Sequence, residues 1–298
     1  MNTASTHNPS TINGPFLTRE ALGQGWLTKR QLYSPLFTKL FHGVHLPAAI
    51  HVTHAVRCHA AALLAPSDAV LTGLSAAAVR GVDLTSVDSP VEMIVPVESG
   101  FRAQRGMNIR RTTMADVGSE PWRTIRIATP LRMAMDVLTN TSVRTSLPRR
   151  VAILDVFLRQ GCVEVPPLRR LLSNCNDHGV VSARQALALA DSRAESIPES
   201  ELRVWLALAG VTCVPQLAVY AGGVFVGRLD LGIEACKLAI EYDGEWHGDA
   251  EQVEHDGQRR AALRDAGWEC IVVRKADLYG DPRGMVFAIL EAIRRRSR

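Results

Sequence analysis

The sequence predicts an α/β protein, α+β overall, made of more than one module, and three observations carry that reading. The chain has 298 residues, more than the ~100–200 of a usual single domain. Hydrophobic residues make up 47% and charged residues 21%, enough apolar material to bury sizeable cores. The pattern also changes along the chain. Short helices and a strand pair come first, then alanine-rich helices with strand-length apolar runs. After about residue 191 a helix, a strand run, another helix and a strand follow.

Residues 1–14, MNTASTHNPSTING, form a polar tail expected to be disordered, without the basic start and apolar run of a signal peptide. No later stretch reaches the ~18 apolar residues of a membrane helix, so a cytoplasmic protein with no membrane partner is expected. The six cysteines are scattered without a C-x-x-C pair, which argues for reduced thiols rather than a disulfide framework or zinc ribbon.

Over residues 15–50, Thr18 is placed to cap a helix at Arg19–Leu22, which Gly23 and Gly25 break. Thr28 is placed to cap a second helix through Leu32, and LFHGVHL reads as strand–turn–strand. Small helices followed by a hairpin suggest a winged helix-turn-helix, with Lys29 and Arg30 as candidate phosphate contacts. Around it, His42, His45, His51, His54, Cys58 and His59 are dense. A structural zinc is set aside, because Pro47 separates the hairpin histidines from the helix, in favour of exposed or phosphate-facing imidazoles.

Residues 51–190 read as a mixed α/β middle domain. Helices are expected at His54–Leu64 and Gly73–Val79, strands at VEMIVPV and MNIRRT, and a helix from Pro130 through LRMAMDVL. Three more helices follow near 149–160, 165–175 and 183–191. Between Gly100 and Arg150 ten arginines face only Asp116, Glu120 and Asp136. Arg105, Arg110 and Arg111 lie in the densest part of a stripe that suits nucleic-acid phosphates or a plain solvated face.

The segment 191–298 carries the chemistry. ESELRVWLALAGV has helical spacing, with Glu199 and Arg203 four apart on one edge, the spacing of a surface ion pair, and Arg203 is a candidate phosphate contact. VGRLDLGIEACKLAIEYDG reads as two strands meeting around Ala235 and Cys236. This sets Ile233 against Leu238, Leu231 against Ile240 and Asp230 against Glu241. Leu229, Leu231, Ile233, Leu238, Ile240 and Tyr242 are then expected on one face, with Asp230, Glu241 and Asp243 on the other. Two carboxylates facing each other across a ladder repel, and a divalent cation reverses the sign of that interaction. Mg2+ or Mn2+ is therefore the expected cofactor of such a face, and a solvent-exposed sheet face studded with acids is the alternative. Downstream, Asp256, Arg259, Arg260 and Leu263 share a helix face, which makes Arg259 and Arg260 candidate partners of a scissile phosphate.

The order Glu199, GRLDLGI with Asp230, LAIEYDGEWH with Glu241, then Asp256, Arg259 and ALRDAGWECIVVR resembles an endonuclease-like domain of actinobacteria related to the very-short-patch repair (Vsr) endonucleases. Those belong to the PD-(D/E)XK superfamily, which implies a restriction-endonuclease-like mixed sheet flanked by helices. The likeness implies Asp230 and Glu241 as metal ligands and Glu199 as the helix acid. It sets Asp243 and His247 beside metal and water, and Arg259 nearest the phosphate. The usual E-x-K lysine is replaced by Asp243, and His247 is the nearby group able to work near neutrality. Residues before about 190 resemble the AbiEi-like antitoxins: a winged helix with FHGVHLPA at the wing, then LTGLSAAAVRGV and IATPLRMAMDVL, with His45 where that family usually shows tyrosine.

The expected function is that of a Mg2+-dependent endonuclease-like protein acting on DNA, whether intact duplex, nicked or mismatched. An AbiEi-like transcriptional regulator or antitoxin with an inactive nuclease fold and a toxin partner is the alternative. An RNA-processing nuclease is a third reading.

Overall fold

The computed structural model describes residues 12–114, 118–140, 146–244 and 250–297, with 250–256 described by backbone alone. The tail expected over 1–14 lies almost wholly outside them. The chain forms two compact units, Met1–Val137 and Leu138–Arg298. The mixed α and β content agrees with the predicted class. Among the described residues no helix is long and apolar enough to cross a membrane.

The first unit opens with β1 (Phe16–Leu17), α1 (Thr18–Gly23), α2 (Lys29–Leu32), β2 (Phe37–Phe41) and β3 (Val44–Pro47), whose strands form a sheet in the order β1-β3-β2. Phe16, Ala21, Leu27 and Leu32 bury one small core. Thr28 caps α2, as its position predicted, and Gln31 completes a full capping box with it. Thr18 does not act as a cap. It is the first residue of α1, and its hydroxyl pairs with His45 Nδ1 at 2.9 Å.

The unit continues with α3 (His54–Ala62), β4 (Val70–Leu71), α4 (Gly73–Val79), β5 (Val91–Pro96), β6 (Met107–Thr112), β7 (Ser119–Trp122), β8 (Ile125–Ala128) and α5 (Pro130–Thr139). The strands form a mixed sheet in the order β6-β5-β4-β8-β7. The stretches LTGLSAAAVRGV and IATPLRMAMDVL meet at a buried carboxylate. Asp136 of α5 accepts from the Thr72 hydroxyl at 2.5 Å and pairs with Arg110 at 2.6 Å and Arg132 at 3.0 Å.

The second unit contains α6 (Leu147–Arg159), α7 (Val165–Ser173), α8 (Val180–Leu189), α9 (Ile197–Leu208), β9 (Val214–Ala221), β10 (Val224–Ile233), β11 (Leu238–Asp243), α10 (Ala250–Asp265), β12 (Glu269–Arg274), α11 (Lys275–Gly280) and α12 (Pro282–Arg296). The units divide earlier than the module boundary expected near residue 191, because α6 packs along α9. Asp155 of α6 and Arg203 of α9 form a buried ion pair at 2.8 Å across that contact.

The strand order is β12-β11-β10-β9, antiparallel except for the parallel β11–β12 pair that α10 connects. The predicted register holds at Ile233↔Leu238 and Leu231↔Ile240. The predicted faces hold only in part. Leu231, Ile233, Leu238 and Ile240 pack with Leu202 and Leu206 of α9 and with α12. Leu229 instead joins Val219, Ala239, Leu263 and Trp268 on the α10 side. The alternation of faces therefore breaks at Asp230, where β9 is irregular too: Gln216, between the paired residues Pro215 and Leu217, has φ 54°.

Candidate functional site

The break in the sheet is where the predicted acids gather. Ser196 caps α9 by accepting from the Glu199 amide, and Pro198 fixes the first turn. That places Glu199 at the buried start of the helix. Its Oε2 accepts from the Glu195 amide at 3.0 Å and from Gln216 Nε2 at 2.8 Å. Gln216 is flanked by the pairs Pro215↔Leu231 and Leu217↔Leu229, so the register sets it opposite Asp230.

The β10–β11 ladder stops at Leu231↔Ile240, one residue short of Asp230. The expected Asp230–Glu241 ladder pair is not made. Instead Asp230 Oδ2 accepts from the Tyr242 amide at 3.0 Å, a bond a strand carbonyl would ordinarily take. The carboxylate thus stands in the fork where the two strands part. Burial raises its pKa most, the Tyr242 N–H opposes that, and the charges of Glu199 and Glu241 raise it further against Arg259, to about 6.

Glu241 turns to the α10 side and is only 5% exposed. Arg259 lies over it, donating from Nη2 to Oε2 at 3.0 Å and from Nη1 to the Arg228 carbonyl at 2.9 Å. Gly227 leaves room for this, because a Cβ there would already touch Arg259 Cγ at 3.4 Å. Glu241 Oε1 is 3.0 Å from Arg259 Nη1 but is buried without a hydrogen bond, so that contact is an ion pair off the hydrogen-bonding direction. Arg260 Nε lies 3.8 Å from Oε2.

Not every predicted residue joins this group. Asp243 is exposed at the end of β11, beside Arg274 in the parallel register. His247 and the side chain of Asp256 lie outside the described residues. Arg203 is corrected from surface to interior: only 8% exposed, it donates to Asp155 and to the Leu189 carbonyl and presents no face to a phosphate. It makes no ion pair with Glu199, which turns back toward Glu195 and Gln216.

In the first unit Lys29, Arg30 and Arg105 are exposed as expected. Arg110 and Arg111 are exposed too, but neighbours on β6 point to opposite sides. Arg110 holds Asp136, and Arg111 donates to the Phe101 carbonyl at 2.6 Å, so they do not make one stripe. His42 and His51 are exposed as expected, whereas His45, His54 and His59 are more buried than expected. His45 sits against Thr18, and His54 Nε2 pairs with Ser75 Oγ at 2.8 Å. Burial lowers the pKa of both, and that of His59 to about 4.

Sequence reasoning missed Gln216, whose strand position carries no periodic signal, and Asp155, which reads as an ordinary polar residue within an apolar helix. Among the described residues no three His, Cys, Asp or Glu side chains converge as a ready-made metal cluster. The fit to a cation is that of a two-carboxylate site. Mg2+ and Mn2+ commonly take one or two protein carboxylates and fill the remaining positions with water and phosphate oxygens. The buried Glu241 oxygen without a hydrogen bond and the mutual repulsion at Asp230 both suit such an ion.

No family model matches the chain. No solved structure matches it either. Two Mycobacterium tuberculosis proteins are similar to it, uncharacterised protein MT2308 of strain CDC 1551 / Oshkosh and uncharacterised protein Rv2248 of strain ATCC 25618 / H37Rv. Each is 27% identical over 218 residues, covering 70% of this chain and 75% of the relative.

Proposed function

We propose that the protein is a cytoplasmic, DNA-binding, divalent-cation-dependent phosphodiesterase of the endonuclease type, with its site at the fork between β10 and β11. One observation carries the reading: Asp230 breaks the ladder to stand between two other carboxylates, with an arginine pair over one of them. An arrangement that raises the charging cost of its own aspartate is a poor stabiliser of a sheet and a good receptor for a cation. The six cysteines, none of them in a disulfide, suit a reducing compartment.

Asp230 and Glu241 hold the cation, and Glu199, fixed by Gln216 and the Glu195 amide, adds negative charge beside them. A bound cation would supply polarisation of the phosphodiester, a lowered pKa for the attacking water and neutralising charge at the leaving oxygen. Arg259 balances Glu241 in the resting chain, and its guanidinium and that of Arg260 face the negative charge of the phosphate. The first unit contributes exposed Lys29, Arg30 and Arg105 to docking on duplex DNA.

Incubation with intact, nicked, mismatched and single-stranded DNA in Mg2+ or Mn2+ tests this. Cleavage is expected to vanish in Asp230→Ala and in Glu241→Ala, and cleavage that persists in both variants overturns the site. A second reading has its own observation. Glu241 is already neutralised by Arg259, and Asp243 stands exposed where the related enzymes place lysine, as in a binding protein that no longer cuts. That reading, an AbiEi-like regulator or antitoxin, predicts cation-independent DNA binding with no hydrolysis by any variant. RNA substrates in the same assay test the third.

A further inference from the structure

Beyond Glu241 the α10 surface continues into a second basic feature. Arg260 and Arg264, one helical turn apart, border a cavity of about 570 Å3 against the edge strand β12, completed by Trp268, Glu269, Cys270 and Arg296. The cavity's own acid is already in use, because Glu269 pairs with Arg295 and with Arg296. Arg296 in turn donates to the Cys236 and Gly267 carbonyls at 2.6 and 2.7 Å.

Arg260 and Arg264 are left in excess. Arg264 donates from Nε to the Arg260 carbonyl at 3.3 Å and has no acid within ion-pair distance among the described residues. Arg260 Nε is buried without a hydrogen-bond partner while lying 3.8 Å from Glu241. A buried guanidinium N–H without an acceptor is costly, and a phosphate oxygen is the acceptor that guanidinium geometry matches best.

We infer that this cavity receives a backbone phosphate of the DNA strand, flanking the phosphate at Asp230 and Glu241, with Arg264 and Arg260 as its donors. The inference rests on the nuclease reading for the identity of the strand but not on hydrolysis itself. Arg260, between the cavity and Glu241, makes the two sites neighbours on one strand path.

The test is binding of a fluorescently labelled 20-base-pair duplex by the full chain in EDTA, measured by anisotropy across a salt series. Arg264→Ala is expected to weaken binding about 5–10-fold at low salt. It should also make the slope of log affinity against log salt shallower by about 0.9 for each phosphate lost. Arg264→Lys should recover most of that slope, and Arg294→Ala, an exposed arginine paired with Glu291 on α12, should leave affinity and slope unchanged. Single methylphosphonate replacements along one strand should reveal a position that matters to the wild type and not to Arg264→Ala. Wild-type affinity and slope in Arg264→Ala, or no DNA binding by the wild type, overturns the inference. Loss of cleavage with Arg264-dependent binding intact removes the hydrolytic reading alone, whereas cleavage with Arg264-independent binding removes the cavity alone.

Discussion

Asp155 and Asp230 are both sequestered aspartates of the second unit, and burial raises the pKa of each, yet their partners differ in kind. Around Asp155 burial opposes the charged form, but every partner favours it. Oδ1 accepts from the Asp191 amide at 2.7 Å, Oδ2 from Arg203 at 2.8 Å, and the Ser200 hydroxyl adds a further bond. Around Asp230 one amide donates, Arg259 helps from a distance, and Glu199 and Glu241 oppose. The first arrangement joins α6 to α9 and is complete. The second is electrostatically incomplete, and its incompleteness is the physical content of the proposed site.

Breaking the complete arrangement should cost most. Asp155→Ala leaves the Arg203 guanidinium buried without its counter-charge, and urea unfolding should show about 3–5 kcal/mol of lost stability. Adding Arg203→Met should recover a good part of it, since the double variant has no stranded charge. A loss below about 1 kcal/mol in the single variant would erase the contrast drawn between the two aspartates.

At Asp230 substitution is expected to have the opposite effect. Its folded carboxyl, near 6, lies above the ordinary unfolded value of ~3.9, so the folded chain holds the proton more tightly. The stabilising contribution is therefore full below about pH 4, fades as pH rises toward 6 and is absent above it. Asp230→Asn should raise Tm by about 2–5 °C at pH 7.5, after allowance for a carboxyl that is not fully enclosed, and leave Tm unchanged at pH 4. Differential scanning at the two pH values separates this from a general packing effect, which would appear at both.

A cation should act on the same imbalance. At about ten times its dissociation constant, Mg2+ stabilises the binding-competent fold by about 1.4 kcal/mol through linkage. The wild type should show that gain and Asp230→Asn should lose most of it. Equal shifts in the two proteins would move the cation away from the fork.

How much of this was legible depends on whether a residue's role follows from its own period. The hairpin register at Ile233↔Leu238 and Leu231↔Ile240 was readable because alternating apolar residues specify which face is buried. The helix cap at Thr28 was readable because caps are local. Leu229 escaped that logic, because Gln216 and Asp230 interrupt the strands beside it and reset the alternation. Arg203 escaped it too, because its partner Asp155 is 48 residues earlier and i,i+4 spacing suggested Glu199 instead. The acids themselves were found by type and order. Their inequality, with Glu241 held by Arg259 and Asp230 unbalanced in the fork, appears only once α10 is laid over β11.

The smallest expected effect probes how that fork is held open. Gln216 has φ 54°, a conformation that costs a non-glycine residue about 1 kcal/mol or more, and it donates to Glu199 at 2.8 Å. Gln216→Gly removes the strain and the hydrogen bond together, and a hydrogen bond to a carboxylate contributes about 1.5 kcal/mol. The two nearly cancel, so chemical denaturation should show a change within about 0.5 kcal/mol. Cleavage should nonetheless fall several-fold, because Glu199 keeps only the Glu195 amide to orient it. Gln216→Glu sharpens the comparison: it keeps the strain and adds a fourth carboxylate, so it should lower stability at pH 7.5 more than at pH 4. Equal loss at both pH values would show that Gln216 shapes the strand without taking part in the charge balance around Asp230.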